Sequence, residues 1–286
     1  MKNVFLPALL LVMMAIACTK KDSSPTDENG GTGTDTTATP GTNNPGNTDT
    51  ISKLYRIVNT GEYPYAEIYN YDGTKLLSVF DSSYNGNYLD TAYYTNNVLT
   101  RLVTTYNGKV ERDYTFEYNN SGKVVKVITN NQERRYDSLA YNQAGQLSTI
   151  YMYTSFVDTV YETDEFKWDA NNNITQKIRR QGSSMNGVAS NYFYDTNTNP
   201  RYELSANIVF WLYVRDAYYG SKNNLTNENF TQLQDGVMST PSFFYLYNYT
   251  YNKDKTPTTC VFKSGEIQSD LKLWENLTYQ YKTTTK

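Results

Sequence analysis

Four carboxylates stand close together in one stretch of the chain: Asp158, Glu162, Asp164 and Glu165, beside Tyr161 and Trp168. Two carboxyl groups flanking a sugar bond are the machinery of glycoside hydrolysis. One serves as acid and the other as base or nucleophile, at separations of roughly 5 Å or 6.5–9.5 Å. The same oxygens also suit calcium. The ordinary reading of such a run is a solvated loop. The chain has no histidine. That excludes histidine triads, histidine metal sites and the usual proton shuttle near neutral pH. The composition therefore predicts a non-enzymatic protein with no cofactor and no metal, and a carboxylate-dependent glycan hydrolase is the alternative.

Binding chemistry rests on tyrosine. There are 29 Tyr against 11 Phe and 3 Trp. A Tyr ring covers apolar area while its hydroxyl reaches water or a backbone partner. Tyr151, Tyr153, Tyr192, Tyr194, Tyr245 and Tyr247 are the candidate ligand face, because rings beside amides suit sugar rings or extended peptides. The competing role for the same rings is cross-strand packing.

These residues are positioned by a repeat. An aromatic followed by a turn recurs at Tyr71, Tyr94, Tyr118, Tyr141, Trp168 and Tyr194, then less regularly at Tyr219 and Tyr251. Fixed-period self-similarity means one small unit used many times. In the clearest copy, Tyr114, Phe116 and Tyr118 alternate with Asp113, Thr115 and Glu117, which is a strand with one covered face. Asn119, Asn120, Ser121 and Gly122 form a turn, and Val124 to Ile128 is the β-branched return strand. The expected fold is mainly β: a long antiparallel meander of hairpins, about fourteen to sixteen strands, curled or closed into a barrel-like sheet.

One segment breaks the rhythm. Leu204, Ile208, Trp211 and Arg215 fall at helical spacing, with Asn199 and Pro200 suited to the start and Gly220 to the stop. The spacing predicts a helix near 200–219, with a buried strand through Ile208 to Val214 as its rival. Such an apolar helix needs cover, so it is expected to plug or fill the curved sheet.

Residues 1–17 read as an export signal, too short to span a bilayer: Lys2 is followed by an apolar run from Val4 to Ile16. Ala15, Ile16, Ala17 and Cys18 resemble the lipobox of bacterial lipoproteins, which implies a lipid on Cys18; Ala15 replaces the usual Leu. Residues 18–50 are Thr-, Gly-, Asn- and Pro-rich, expected to form a disordered tether, and 51–286 a single β-repeat domain. With Cys18 lipidated, Cys260 has no partner for an intrachain disulfide. Lys20, Lys21 and Asp22 resemble the surface-export signal of some Bacteroidota lipoproteins. Asp90-Thr91-Ala92, Asp137-Ser138-Leu139 and Asp158-Thr159-Val160 resemble that phylum's O-glycosylation acceptor.

The hairpin grammar at Tyr118–Gly122 and Tyr141–Gly145 is similar to the Tyr-Asp repeats of Rhs proteins. Together with the lipobox and the polar tether, the chain resembles an uncharacterised family of Bacteroidota lipoproteins with a porin-like β-fold. The resemblance implies an outer-membrane, lipid-anchored location at the cell surface or the periplasmic face. It implies no activity. Expected partners are the membrane, through the N-terminal lipid, and a glycan or envelope protein. A net charge of −3 with no basic stripe argues against nucleic acid. Charges on both faces of 133–137 and 177–180 argue against a lipid-facing band, and hence for a water-soluble sheet.

Overall fold

In the computed structural model, residues 50–285 are described, apart from 74, 84, 131–134, 155–158, 203–209, 211–212 and 214–215. Cys18, the expected export signal and tether, and Asp158 lie outside the described residues. So do Leu204, Ile208, Trp211, Leu212 and Arg215 of the expected helix.

The chain forms strands β1 (Thr50–Asn59), β2 (Tyr65–Asp72), β3 (Lys75–Ser83), β4 (Gly86–Thr95), β5 (Val98–Tyr106) and β6 (Lys109–Tyr118). It continues through β7 (Val124–Thr129), β8 (Arg135–Tyr141), β9 (Leu147–Thr154), β10 (Thr159–Trp168), β11 (Ile174–Gln181) and β12 (Gly187–Thr198). After a 3-10 turn at Ala217–Gly220 come β13 (Asn223–Gln234), the two-residue β14 (Val237–Met238), β15 (Phe243–Tyr251), β16 (Pro257–Gly265) and β17 (Lys272–Thr285). Neighbours in sequence pair antiparallel, and β14 and β15 both lie along β13. β17 returns to β1, with Leu54 opposite Tyr281 and Ile57 opposite Tyr279. The sheet is thus a closed sixteen-strand barrel with β14 as a short extra piece, and closure removes the exposed edges of a meander.

Four hairpins share one turn. In them the residue after the aromatic is Asn or Asp, and its side-chain oxygen accepts backbone N–H bonds from two or four residues on. Asn119 accepts from Ser121 and Lys123, Asn142 from Gln146, Asp169 from Asn171 and Asn173, and Asn252 from Thr256. The fourth turn residue takes positive φ: Gly122, Gly145, Asn172 and Lys255. Glycine adopts this conformation at no steric cost, and Asn tolerates it.

A bulge follows each turn. The pairing slips between Glu117 and Tyr118, Ala140 and Tyr141, Lys167 and Trp168, and at the matching points of other hairpins. One extra residue on the return strand shifts its inward set, so buried apolar residues come three apart. Leu76 and Val79, Leu99 and Leu102, Val124 and Val127, and Leu147 and Ile150 all follow this rule. Bulges also sharpen twist, which bends the meander towards closure.

The repeat aromatics point inward and tie successive hairpins together. The hydroxyls of Tyr71, Tyr94, Tyr118, Tyr141 and Tyr194 donate to the carbonyls of Leu54, Leu76, Leu99, Val124 and Ile174, at 2.6–2.8 Å. Trp168 Nε1 donates to Leu147 at 2.7 Å, and Tyr281 to Pro257 at 2.9 Å. Lys53, Lys75 and Lys123 lie over the rings of Tyr71, Tyr94 and Tyr141 at 5.0–5.9 Å and bond to the turn beyond. Packing and polar satisfaction are therefore the same ladder, around one rim of the barrel.

A barrel of this strand number is wide enough to leave an aqueous channel. Here described residues between Asn199 and Ser221, among them Arg201, Phe210, Tyr213 and Tyr218, pack against the inner wall; they are called the inward segment below. Of the expected helix, Phe210 and Tyr213 are helical; Phe210 is buried in the core. Tyr213 stacks near Tyr114 at 4.8 Å and donates to Asp137. Arg201 reaches Glu67 on β2 at 2.8 Å and donates to Tyr69 Oη at 3.0 Å. The expected filling role thus holds for the described part of this segment.

Candidate functional site

Alternation along the strands sorts the side chains. Outside, Arg101 makes a bidentate pair with Asp113 at 2.7 and 2.8 Å, and Arg180 pairs with Glu165. Inside, the aromatic ladder gives way to a cavity of 370 Å³ between β11–β17 and the inward segment. The volume is of ligand size. Rings from Tyr65, Phe230, Tyr245, Tyr247, Tyr249, Phe262 and Tyr279 meet Tyr218 and Tyr219 of the inward segment around it. Tyr247 stacks on Phe262 at 4.8 Å, and Tyr245 sits edge-on to Phe230 at 5.3 Å.

Five charged side chains line this cavity: Lys177, Arg201, Asp216, Glu228 and Glu275. Lys177 is held by Asp216 at 3.3 Å, and Arg201 by Glu67. Arg201 also lies under the Tyr219 ring at 4.4 Å. Neither Glu228 nor Glu275 has an ion-pair partner among the described residues. Burial raises the Glu228 carboxyl to about 8; Asp216 adds to the shift, and Lys177 and Ser190 oppose it. Burial likewise raises Glu275, which accepts the Tyr65 hydroxyl at 3.2 Å, a bond that opposes the shift.

The six tyrosines expected to share a ligand face do not share one. Tyr245 and Tyr247 line the cavity. Tyr192 is buried next to Tyr218 at 5.9 Å, and Tyr194 is a rung of the ladder, bonded to Ile174 and Ser221. Tyr151 and Tyr153 point outward, where Tyr153 stacks on Tyr136 at 4.6 Å. The reason is geometric: neighbours two apart share a face, but strands β9, β12 and β15 lie on different parts of the barrel wall.

The acidic run is not a loop. It lies on β10, and its charges are occupied. Asp164 is gripped by Arg179 through two bonds of 2.7 Å, and Glu162 lies 3.4 Å from the same guanidinium. Glu165 faces the other way, to Arg180. Arginines on β11 hold these carboxylates, which removes the acid–base pair the run suggested. Among the described residues, no group of three or more Asp, Glu or Cys is placed to hold a metal ion. Cys260 is fully buried, and burial pushes its thiol up to about 12, so it is no nucleophile. Sequence reasoning missed Glu228 and Glu275. Their only signal was an acid at an inward position of a strand, Glu228 before Phe230 and Glu275 before Leu277.

The architecture has relatives among solved structures. A porin-like protein from Bacteroides uniformis superposes with a TM-score of 0.55 at 11% identity, over 79% of this chain and 96% of that one. A porin-like protein from Bacteroides vulgatus gives 0.42 at 12% identity, over 81% and 99%. The TcdB2–TccC3 toxin complex without its hypervariable C-terminal region gives 0.30 at 12% identity, covering 78% of this chain and 10% of that one. No protein-family model matches the sequence, and no curated protein does. The fold is thus that of a porin-like β-barrel. Its outward side chains include the Arg101–Asp113 and Arg180–Glu165 ion pairs, whereas a membrane barrel carries an apolar band outside.

Proposed function

We propose that the protein is a non-enzymatic binding barrel of the bacterial envelope, tethered by a lipid on Cys18. The observation that carries this reading is the aromatic-walled cavity of 370 Å³ on the inner side of the barrel wall. Rings with polar groups between them suit a sugar ring or a peptide side chain. The outward Arg101–Asp113 and Arg180–Glu165 pairs favour a wall in water, since such charges cost several kcal/mol (about 2–4 each) at mid-membrane. Attachment then falls to the N-terminal lipid, at the outer membrane's surface or periplasmic face.

Titration of the purified protein with neutral oligosaccharides and short peptides, followed by calorimetry, tests the binding role. Saturable binding lost in Tyr247→Ala is expected. Binding indifferent to that change, or none at all, would leave a structural role. Palmitate labelling tests the tether: Cys18→Ser should abolish the label, and persistent labelling would contradict it. Thr91 and Ser138 point outward from strands whose Asp90 and Asp137 point in, so intact mass would also reveal sugar on them.

The hydrolase alternative would now rest on Glu228 and Glu275. Hydrolysis needs two carboxyls with their pKa values pushed apart. Burial pushes both of these in the same direction, which favours binding over catalysis.

A further inference from the structure

The cavity's charges do not balance locally. Its two cations already have carboxylate partners: Lys177 has Asp216, and Arg201 has Glu67 behind the wall. Glu228 and Glu275 remain. Glu228 is 4% exposed; the Ser190 hydroxyl is the hydrogen-bond donor that favours its charged form, and it makes no ion pair among the described residues. Glu275 has only a phenol. A buried carboxylate without a cation or several N–H donors is costly to ionise. The strain of that arrangement is visible in the raised Glu228 carboxyl.

The walls around these two acids are aromatic. Tyr65, Tyr218, Tyr245, Tyr247 and Phe262 present ring faces or edges to the same space. The face of an aromatic ring is negative and attracts a cation, most strongly where water is excluded. Aromatic rings together with unpaired carboxylates are the chemistry that recognises an alkylated ammonium group. A neutral sugar would use the rings and leave the acids unmatched. An anion would meet two like charges.

From this geometry we infer that the cavity binds an organic cation, an ammonium group carried by a small ligand or a chain end, held between the Tyr245–Tyr247–Phe262 wall and the carboxylates of Glu228 and Glu275. The inference rests on the cavity being the binding site, as proposed above, and names the class of its ligand. Neither carboxylate need leave its place. The ammonium group would supply the counter-charge that the fold omits, and Lys177 would stay with Asp216.

Calorimetry on the full mature protein, at a pH above the raised Glu228 value, separates the two claims. The probes are choline, ethanolamine, and 3,3-dimethylbutan-1-ol, the neutral isostere of choline, with a neutral oligosaccharide and peptide panel alongside. Choline or ethanolamine should bind, and the isostere roughly tenfold or more weaker. Glu228→Gln, which keeps shape and removes charge, should weaken the cation by a similar factor with an unchanged circular dichroism spectrum; Glu275→Gln is the second variant should the first misfold. Equal binding of isostere and choline, or cation binding indifferent to both variants, would overturn the cation assignment and leave the cavity as a binding site. Binding by the neutral panel alone would do the same. No binding of any probe would overturn both.

Discussion

The ladder rim and the cavity are built from the same residue, and they use it differently. At the rim the hydroxyls of Tyr71, Tyr94, Tyr118 and Tyr141 each donate to a backbone carbonyl one hairpin away, and the Asn142 turn oxygen accepts the Gln146 N–H. Around the cavity the tyrosines face one another and an open space, and two glutamates have no ion-pair partner among the described residues. Repetition coincides with satisfied chemistry, and departure from it coincides with groups that need something else. The rim explains stability, and the cavity is where the proposed ligand would supply a counter-charge.

Disturbing the junction between the two regions should have the largest effect. Glu67→Ala leaves the Arg201 guanidinium buried without its carboxylate, because both side chains are at least nine-tenths buried. Loss of one partner of a buried pair costs about 3–5 kcal/mol. For a domain of this size that lowers the melting temperature by roughly 6–20 °C. Replacing both residues together, as Glu67→Leu with Arg201→Met, should recover most of it. A melting temperature unmoved by the single change would mean the inward segment is not docked through this pair.

Next comes the cavity's own titration. Glu228 is raised from 4.5 to about 8 in the folded protein. Between those values the unfolded chain has already released its proton and the native chain has not. Native stability therefore falls as pH rises through that window, and is fully retained below it. Glu228→Gln should remove the fall, giving up to about 5 kcal/mol at pH 9 and little at pH 4. Melting curves at the two pH values check it, and a parallel shift at both would contradict the burial argument. Asp137, raised by burial to about 6 against the hydrogen bond from Tyr213, adds a smaller fall of the same sign at lower pH.

The rim should respond in smaller, equal steps. Tyr118→Phe and Tyr141→Phe each remove one hydroxyl from a ladder bond, and each should cost about 1 kcal/mol in urea unfolding. Equivalent rungs should give equivalent losses. A rung that costs nothing would show that ring packing alone holds the hairpins. Smallest is the lysine over each ring: Lys123→Met should cost about 0.5 kcal/mol, less in high salt, since the ammonium is near solvent.

Legibility followed the same division. Tyr118 and Gly122 announced their hairpin because alternation and turn chemistry are local. The strand number and the curling were readable for that reason. The bulges were not. Val124 and Val127, three apart, carry the inward face only because one extra residue slips the pairing, and a single sequence shows no pairing. Tyr151 and Tyr247 look alike in sequence; their strands, β9 and β15, stand on different parts of the wall, so one faces water and the other the cavity. The acidic run misled because the arginines that hold it, Arg179 and Arg180, sit on the next strand. Glu228 carried no local signal, since what sets it apart is burial without an ion-pair partner among the described residues.

The proposed barrel has an outer wall that meets water. Sedimentation velocity of the compact unit from Asn47 to Lys286 in buffer without detergent tests it most directly. The account predicts one folded, non-aggregating species with native β-sheet circular dichroism. A chain that stays in solution only with detergent, or that inserts into bilayers and conducts ions, would contradict it.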